Sequence, residues 1–294
     1  KIFATWTTCV SSLMALLMRH NYLSTSPCAD FCRRQISCKL AFFCLLSRVV
    51  YGVLAATSHG SLLTLIVMQD ALIDRLSQLI LQRRDRLDPS RRLLVGIAGI
   101  PGSGKSSLAH QVSGRIESLR GPCCVTISMD GWHFPRAVLD TMDNPEEAYK
   151  RRGAAFTFDA DAFVSFAQRL RQEGMNELFA PSFSHAEKDP VSNDIHINQS
   201  HTIVLIEGLY CCLNLAPWRR ATECWDLRWF IDTSPSVARE RLIRRHIESR
   251  ICTDRASAAR RADTNDLPNG EWILKHIYEP VSYWHIPSWD ELPT

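Results

Sequence analysis

Residues 93–119 constrain this chain more than any other stretch. An apolar run, Leu93-Leu94-Val95-Gly96-Ile97-Ala98, leads into Gly99-Ile100-Pro101-Gly102-Ser103-Gly104-Lys105-Ser106-Ser107, and an amphipathic pattern follows as far as Leu119. The first run has the length and character of a strand buried on both faces. The second matches G-x-x-x-x-G-K-[ST] in full, and a helix is expected to open at Lys105. Strand, glycine-rich turn and helix in that order make a cradle for a multiply charged phosphate. Glycines let successive N–H groups point into one concavity, and the helix adds its positive N-terminal end. Lys105 can then reach β- and γ-phosphates, while the Ser106 hydroxyl can complete a Mg²⁺ shell. A glycine-rich turn that fits by chance is the bland alternative, and the flanking strand and helix count against it. The loop alone does not choose between a switch, a hydrolase and a phosphotransferase.

Further apolar runs at Cys124–Met129, Thr202–Ile206 and Leu227–Ile231 read as strands. Helical spacing recurs at Gln69–Arg86, Lys105–Leu119, Asp161–Glu173 and Ser236–Arg250. Strands alternating with helices predict an α/β fold of the P-loop NTPase type: a doubly wound, mainly parallel sheet with helices on both faces. Ser236–Arg250 is expected to form a helical lid, and Phe179–Asn198 a small β-rich insertion. The folded domain is expected to span 69–278, with an unassigned tail at 279–294.

Residues 1–68 read differently: rich in Cys, Ser, Leu and Phe, poor in acids and without a clear period. Val49–Met68 carries no formal charge and has the length of a membrane span, although Ser58, His59, Gly60, Ser61 and Thr64 dilute it. A membrane-associated or targeting segment is one reading; a disordered extension or a wrongly delimited coding sequence, suggested by the start at Lys1, is the other. Five of the eleven cysteines lie here, at Cys9, Cys28, Cys32, Cys38 and Cys44, and their spacing fits no standard zinc finger. The odd total and scattered placement argue against a disulfide framework and for a reducing, cytoplasmic compartment. A net charge of +3 over 294 residues argues against a nucleic-acid-coating protein.

Three segments narrow the chemistry. Asp130, in Met129-Asp130-Gly131-Trp132-His133-Phe134, falls at the carboxyl end of the second strand, where a carboxylate can take a hydroxyl proton or help hold Mg²⁺. A turn-forming Asp-Gly is an equal reading from position alone. Glu207 closes the third apolar run, where a metal-orienting acid is expected. Arg241 and Arg245 are four apart on one helix, so they can clamp transferring phosphates, although a solvated basic face is the usual fate of such a run.

Taken in order, these segments resemble the phosphoribulokinase/uridine kinase family of P-loop kinases, in particular its uridine-kinase-like ATP-dependent branch with a yeast kinase and bacterial sugar-kinase-like proteins. Bacterial pantothenate kinase is a more distant likeness. The resemblance runs from about Leu72 to about Leu274 and includes Arg151-Arg152-Gly153-Ala154-Ala155-Phe156-Thr157-Phe158-Asp159, Ala180-Pro181-Ser182-Phe183, Ile206-Glu207-Gly208-Leu209-Tyr210 and Asn265-Asp266-Leu267-Pro268-Asn269-Gly270. It implies ATP and Mg²⁺ as cofactors, with Gly99, Ile100, Pro101, Gly102, Ser103, Gly104, Lys105, Ser106 and Ser107 around the nucleotide and Ser106, Asp130 and Glu207 as candidate metal ligands. It implies Asp130 as base and Lys105, Arg241 and Arg245 as its catalytic companions, the arginines closing over ATP from the lid. Trp132, His133, Arg152, His185 and Glu207 are the residues it places around the acceptor, and it puts Asn265 and Asn269 near the adenine. Trp132 departs from the smaller aromatic usual after Asp-Gly.

The reading is therefore an ATP-dependent phosphotransferase acting on the hydroxyl of a nucleoside, pantothenate-like compound, sugar or sugar phosphate. A nucleotide-hydrolysing switch acting through a protein partner is the alternative, disfavoured by the lack of an N-K-x-D segment. A non-catalytic scaffold is disfavoured by intact Lys105, Ser106 and Asp130. Partners are expected to be small molecules; a homo-oligomer stays open.

Overall fold

A computed structural model describes residues 60–172, 174–184, 186–278 and 283–287. The Cys28–Cys44 group, most of Val49–Met68 and His185 lie outside them. Among the described residues no helix is long and apolar enough to cross a membrane.

Seven strands and nine helices are described, beginning with α1 (Gly60–Asp85), β1 (Leu93–Gly99), α2 (Lys105–Arg120) and β2 (Cys124–Ser128). Two short helices, α3 (Arg136–Leu139) and α4 (Pro145–Lys150), precede α5 (Ala160–Gln172), β3 (Leu178–Ser184), β4 (Asp189–Ile197) and β5 (Ile203–Glu207). Then come α6 (Arg219–Thr222), β6 (Leu227–Asp232), α7 (Pro235–Glu248), α8 (Arg255–Arg261), α9 (Leu267–Leu274) and β7 (Tyr283–Pro287). The strand order β2-β5-β1-β6-β7 is parallel at every pairing, and β3–β4 is a separate antiparallel hairpin. The predicted α/β P-loop fold is therefore the observed one. The edge strand β7 is new, since nothing in the tail's Pro- and Trp-rich sequence announced it.

The apolar runs fail to alternate because both faces of the sheet are covered. Leu93, Val95 and Ile97 of β1 pack with Ile203, Leu205 and Trp229 against Ile73, Leu76 and Ile80 of α1 and Leu108, Val112 and Ile116 of α2. Leu94 and Ala98 face the other way, with Val204, Ile206 and Phe230, toward Phe163, Val164 and Leu170 of α5. All residues of β1 and β5 are buried. The chain leaves β1 for β2 on one side of the sheet and later reaches β6 on the other. A crevice thus opens at the carboxyl ends of β1, β2 and β5, where such sheets hold ligands.

One buried cation ties the amino end of the sheet. Arg92 is 2% exposed and donates to the carbonyls of Gly174, Met175, Asn176, Asn198 and His201, at 2.8 to 3.3 Å. These belong to the loops that enter β3 and β5. The neighbouring Arg91 reaches Asp226, at 3.5 Å, and is half-exposed. Arg92→Met strands several buried carbonyls and should lower unfolding free energy by roughly 3 kcal/mol. Arg91→Met should change it by less than about 1 kcal/mol. Urea unfolding of the two variants checks this; equal effects would contradict the assignment.

Candidate active site

The loop between β1 and α2 is the floor of the site. Gly102 has φ +79°, and a Cβ there would stand 2.7 Å from the Ala238 carbonyl of α7, so glycine is needed for both the turn and the close approach. Lys105, the first residue of α2, folds back onto its own loop: Nζ donates to the Ile100 carbonyl at 3.0 Å and lies 3.5 Å from Ser103 Oγ. Burial pushes its pKa down to about 8, with Glu207 and Asp130 opposing the fall and Arg245 adding to it. The four charges therefore share one field.

Glu207 ends β5 between β1 and β2, in register with Ile97 and Ser128, and is 6% exposed. Its Oε1 accepts from Ser106 Oγ at 3.1 Å. Burial first and the Asp130 charge second hold its carboxyl above the ordinary range, against the pull of Lys105. Asp130 lies in a single 3₁₀ turn, Met129–Trp132, and its own N–H donates to Ser128 Oγ at 3.3 Å. Its carboxylate is 40% exposed, much more open than Glu207. Gly131 is required by packing: a Cβ there would be 2.4 Å from the Pro181 carbonyl of β3. The Asp-Gly pair is thus a fixed junction with the hairpin.

Ser106, Glu207 and Asp130 present hard oxygens at the phosphate loop, which suits Mg²⁺ held mainly by phosphates and water. Among the described residues no group of three or more His, Cys, Asp or Glu is placed to hold a metal ion.

Helix α7 covers the loop. Arg241 Nη1 donates to the carbonyls of Gly102 and Ser103, at 3.2 and 3.3 Å. Gly104, Ser107, Ser236, Glu240, Arg241 and Arg244 help line a cleft of about 590 Å³ beside it. Arg244 had no place in the spacing argument, which paired Arg241 with Arg245. Helix α7 is braced against the segment that follows by Arg239–Asp263 at 2.6 Å, Arg255–Glu240 at 2.7 Å and His246–Asp266 at 2.8 Å.

The residues expected around the acceptor separate. Trp132 is 5% exposed and packs against Phe163 and Phe166, so its ring belongs to the core. Its size fills space under α5. His133 points Nδ1 at the Asp130 carbonyl, 2.9 Å away, and stacks on Phe158. Arg152 is taken up by the hairpin: it donates to the carbonyls of Lys188 and Phe134, pairs with Asp189 at 3.4 Å and lies over the Phe183 ring. Asn265 and Asn269 instead grip Arg151, through Oδ1 contacts at 3.0 and 2.9 Å.

A phosphate cradle at the switch point of a parallel sheet, with one acid ending β5 and another just beyond β2 and an arginine-bearing helix above, defines a P-loop nucleotide-dependent enzyme fold. The profile of the Phosphoribulokinase / Uridine kinase family matches residues 94–257. The provisionally named uridine kinase C227.14 of Schizosaccharomyces pombe is 40% identical over 195 residues, covering 66% of this chain and 83% of that protein. The ATP-dependent kinase-like protein notR' of Aspergillus versicolor is 42% identical over 167 residues, 56% of this chain and 96% of its own. Among solved structures, YFH7 of Saccharomyces cerevisiae superposes with a TM-score of 0.66 at 21% identity, covering 74% of this chain and 99% of that one. The chain belongs to the phosphoribulokinase/uridine kinase family.

The burial of Lys105 has a consequence for stability. Its folded pKa, about 8, lies below the ordinary 10.5, so the unfolded chain binds the extra proton between those values. The unfavourable contribution is therefore full below pH 8 and fades as pH rises toward 10.5. Lys105→Met, without ligand, should be more stable than the parent by about 2 kcal/mol at pH 7. Denaturant titrations across pH should show the gap closing above pH 8; a gap independent of pH would contradict the assignment.

Proposed function

We propose that the protein transfers the γ-phosphoryl group of ATP to the hydroxyl of a small metabolite. The observation that carries this reading is the open Asp130 carboxylate, held in the same field as Lys105 and Glu207 at the mouth of the phosphate loop. The difference in burial divides the labour of the two acids. Asp130 is open enough to meet an incoming hydroxyl, whereas Glu207 is enclosed against Ser106.

The acceptor oxygen attacks the γ-phosphorus as Asp130 takes its proton. The new O–P bond forms while the bond to the β–γ bridging oxygen breaks, and ADP carries away that electron pair. Lys105 meets the β- and γ-phosphates, and Arg241 and Arg245 offset the charge that spreads over the equatorial oxygens. Ser106 with Glu207 or Asp130 would hold Mg²⁺, which would supply positive charge against the phosphates. Positioning and charge neutralisation supply most of such a barrier reduction, so this short roster suffices. The family membership and the kinase names of the relatives support the reading.

The test uses the full chain, γ-labelled ATP, Mg²⁺ and an array of nucleosides, vitamins, sugars, sugar phosphates and hydroxy acids. Label should appear on an acceptor, and Asp130→Asn should lower kcat about 10³-fold while leaving ATP affinity within about twofold. ATP hydrolysis indifferent to every acceptor would overturn the reading in favour of a nucleotide switch.

A further inference from the structure

Arg151 and Arg152 are adjacent and chemically identical, yet the structure gives them different surroundings. The Arg152 charge is answered by Asp189, and its guanidinium donates to the Lys188 carbonyl of the hairpin turn and to the Phe134 carbonyl. Arg151 has no carboxylate within ion-pair distance among the described residues. Its partners are two neutral amides: Nε donates to Asn265 Oδ1 and Nη2 to Asn269 Oδ1. Both asparagines are buried, at 3% and 5% exposure. The Asn265 amide is fixed in orientation, because its Nδ2 donates to the Arg152 carbonyl at 3.3 Å.

Nε and Nη2 form one edge of the guanidinium plane, so the asparagines occupy that edge and, among the described residues, leave the Nη1–Nη2 fork uncommitted. That fork, like the edge already taken, has the spacing to hold a carboxylate or phosphate in bidentate fashion. A partly buried cation usually has its charge answered. Here the supporting groups orient the charge without neutralising it.

The neighbourhood places this cation with the reacting groups. Tyr210, 1% exposed, joins the two turns: its hydroxyl donates to the Gly153 carbonyl at 2.6 Å, two residues from Arg151, and its N–H donates to Met129 Sδ at 3.3 Å, beside Asp130. The helix that carries Asn269 also backs onto the phosphate loop, since a Cβ on Gly270 would lie 3.2 Å from Ile100 Cβ.

We infer that Arg151 binds an anionic group of the acceptor, a phosphate or carboxylate distinct from the hydroxyl that is phosphorylated. This rests on the kinase reading above and narrows it: the acceptor is a phosphorylated or acidic polyol and not a neutral one. Asn265 lies in the π-helical turn Ala262–Asp266, four residues before Asn269 of α9.

The measurement is calorimetric binding of inorganic phosphate to the full chain saturated with Mg²⁺ and a non-hydrolysable ATP analogue, so that the nucleotide's own phosphate positions are filled. The parent should bind phosphate in the millimolar range, and Arg151→Met should weaken it by about a hundredfold, as expected for loss of a charge-assisted fork. Asn269→Asp keeps the hydrogen-bond geometry but answers the charge, and should weaken phosphate by about tenfold without loss of thermal stability. It covers the case in which Arg151→Met fails to fold. Phosphate that fails to bind, or binds all three proteins equally, would overturn the inference. So would variants that lose affinity for the nucleotide analogue while keeping phosphate, since the fork would then serve ATP. Phosphate binding is read whether or not any acceptor is labelled, so this inference and the kinase reading can fail separately.

Discussion

The site depends on how the loop 99–106 is wedged between a fully buried strand and a helix that lies on top of it. Strand β1 is enclosed by both cores, so its carboxyl end is fixed, and the loop leaves it toward the crevice at the switch point. Gly102 lets Ala238 and Leu242 of α7 approach to a distance no side chain would allow. Arg241 then bonds the loop carbonyls from above. A cradle of N–H groups works only when its backbone is held before the ligand arrives, and this packing does that.

Charge organises the same small volume. Lys105 and Glu207 are both buried, each keeping the other from the full penalty of burial, and Asp130 stands more openly beside them. An enclosed cation and acid at the floor with an open acid at the rim is an arrangement in which environment separates the roles of similar groups. The arginines differ likewise. Arg92 is structural because five carbonyls surround it, and Arg152 because Asp189 and the hairpin hold it. Arg151 is held by neutral amides, with no counter-charge among the described residues.

Much of this was legible in the chain. The apolar runs placed β1, β2, β5 and β6 within a residue or two, because a strand buried on both faces must be apolar throughout. The phosphate loop was legible because its residues act on one another at short range. Asp130 and Glu207 were found by position, since a parallel sheet puts the carboxyl ends of neighbouring strands at one edge. Trp132 was misplaced at the acceptor because sequence does not show which way a ring turns; it turns inward, onto Phe163 and Phe166. Strand β7 went unseen because its assignment comes from pairing with β6, without a periodic signal of its own.

The sequence alone therefore determined the fold class, the phosphate cradle and the two acids, all of which follow from local pattern and the order of elements. Tertiary structure decided what surrounds each arginine. Arg151 meets Asn265 and Asn269 across 114 and 118 residues, and Arg92 meets its carbonyls across 82 to 109. The chemistry of a guanidinium is set by what surrounds its edges, and partners so distant in the chain are fixed only when the sheet and its helices have packed.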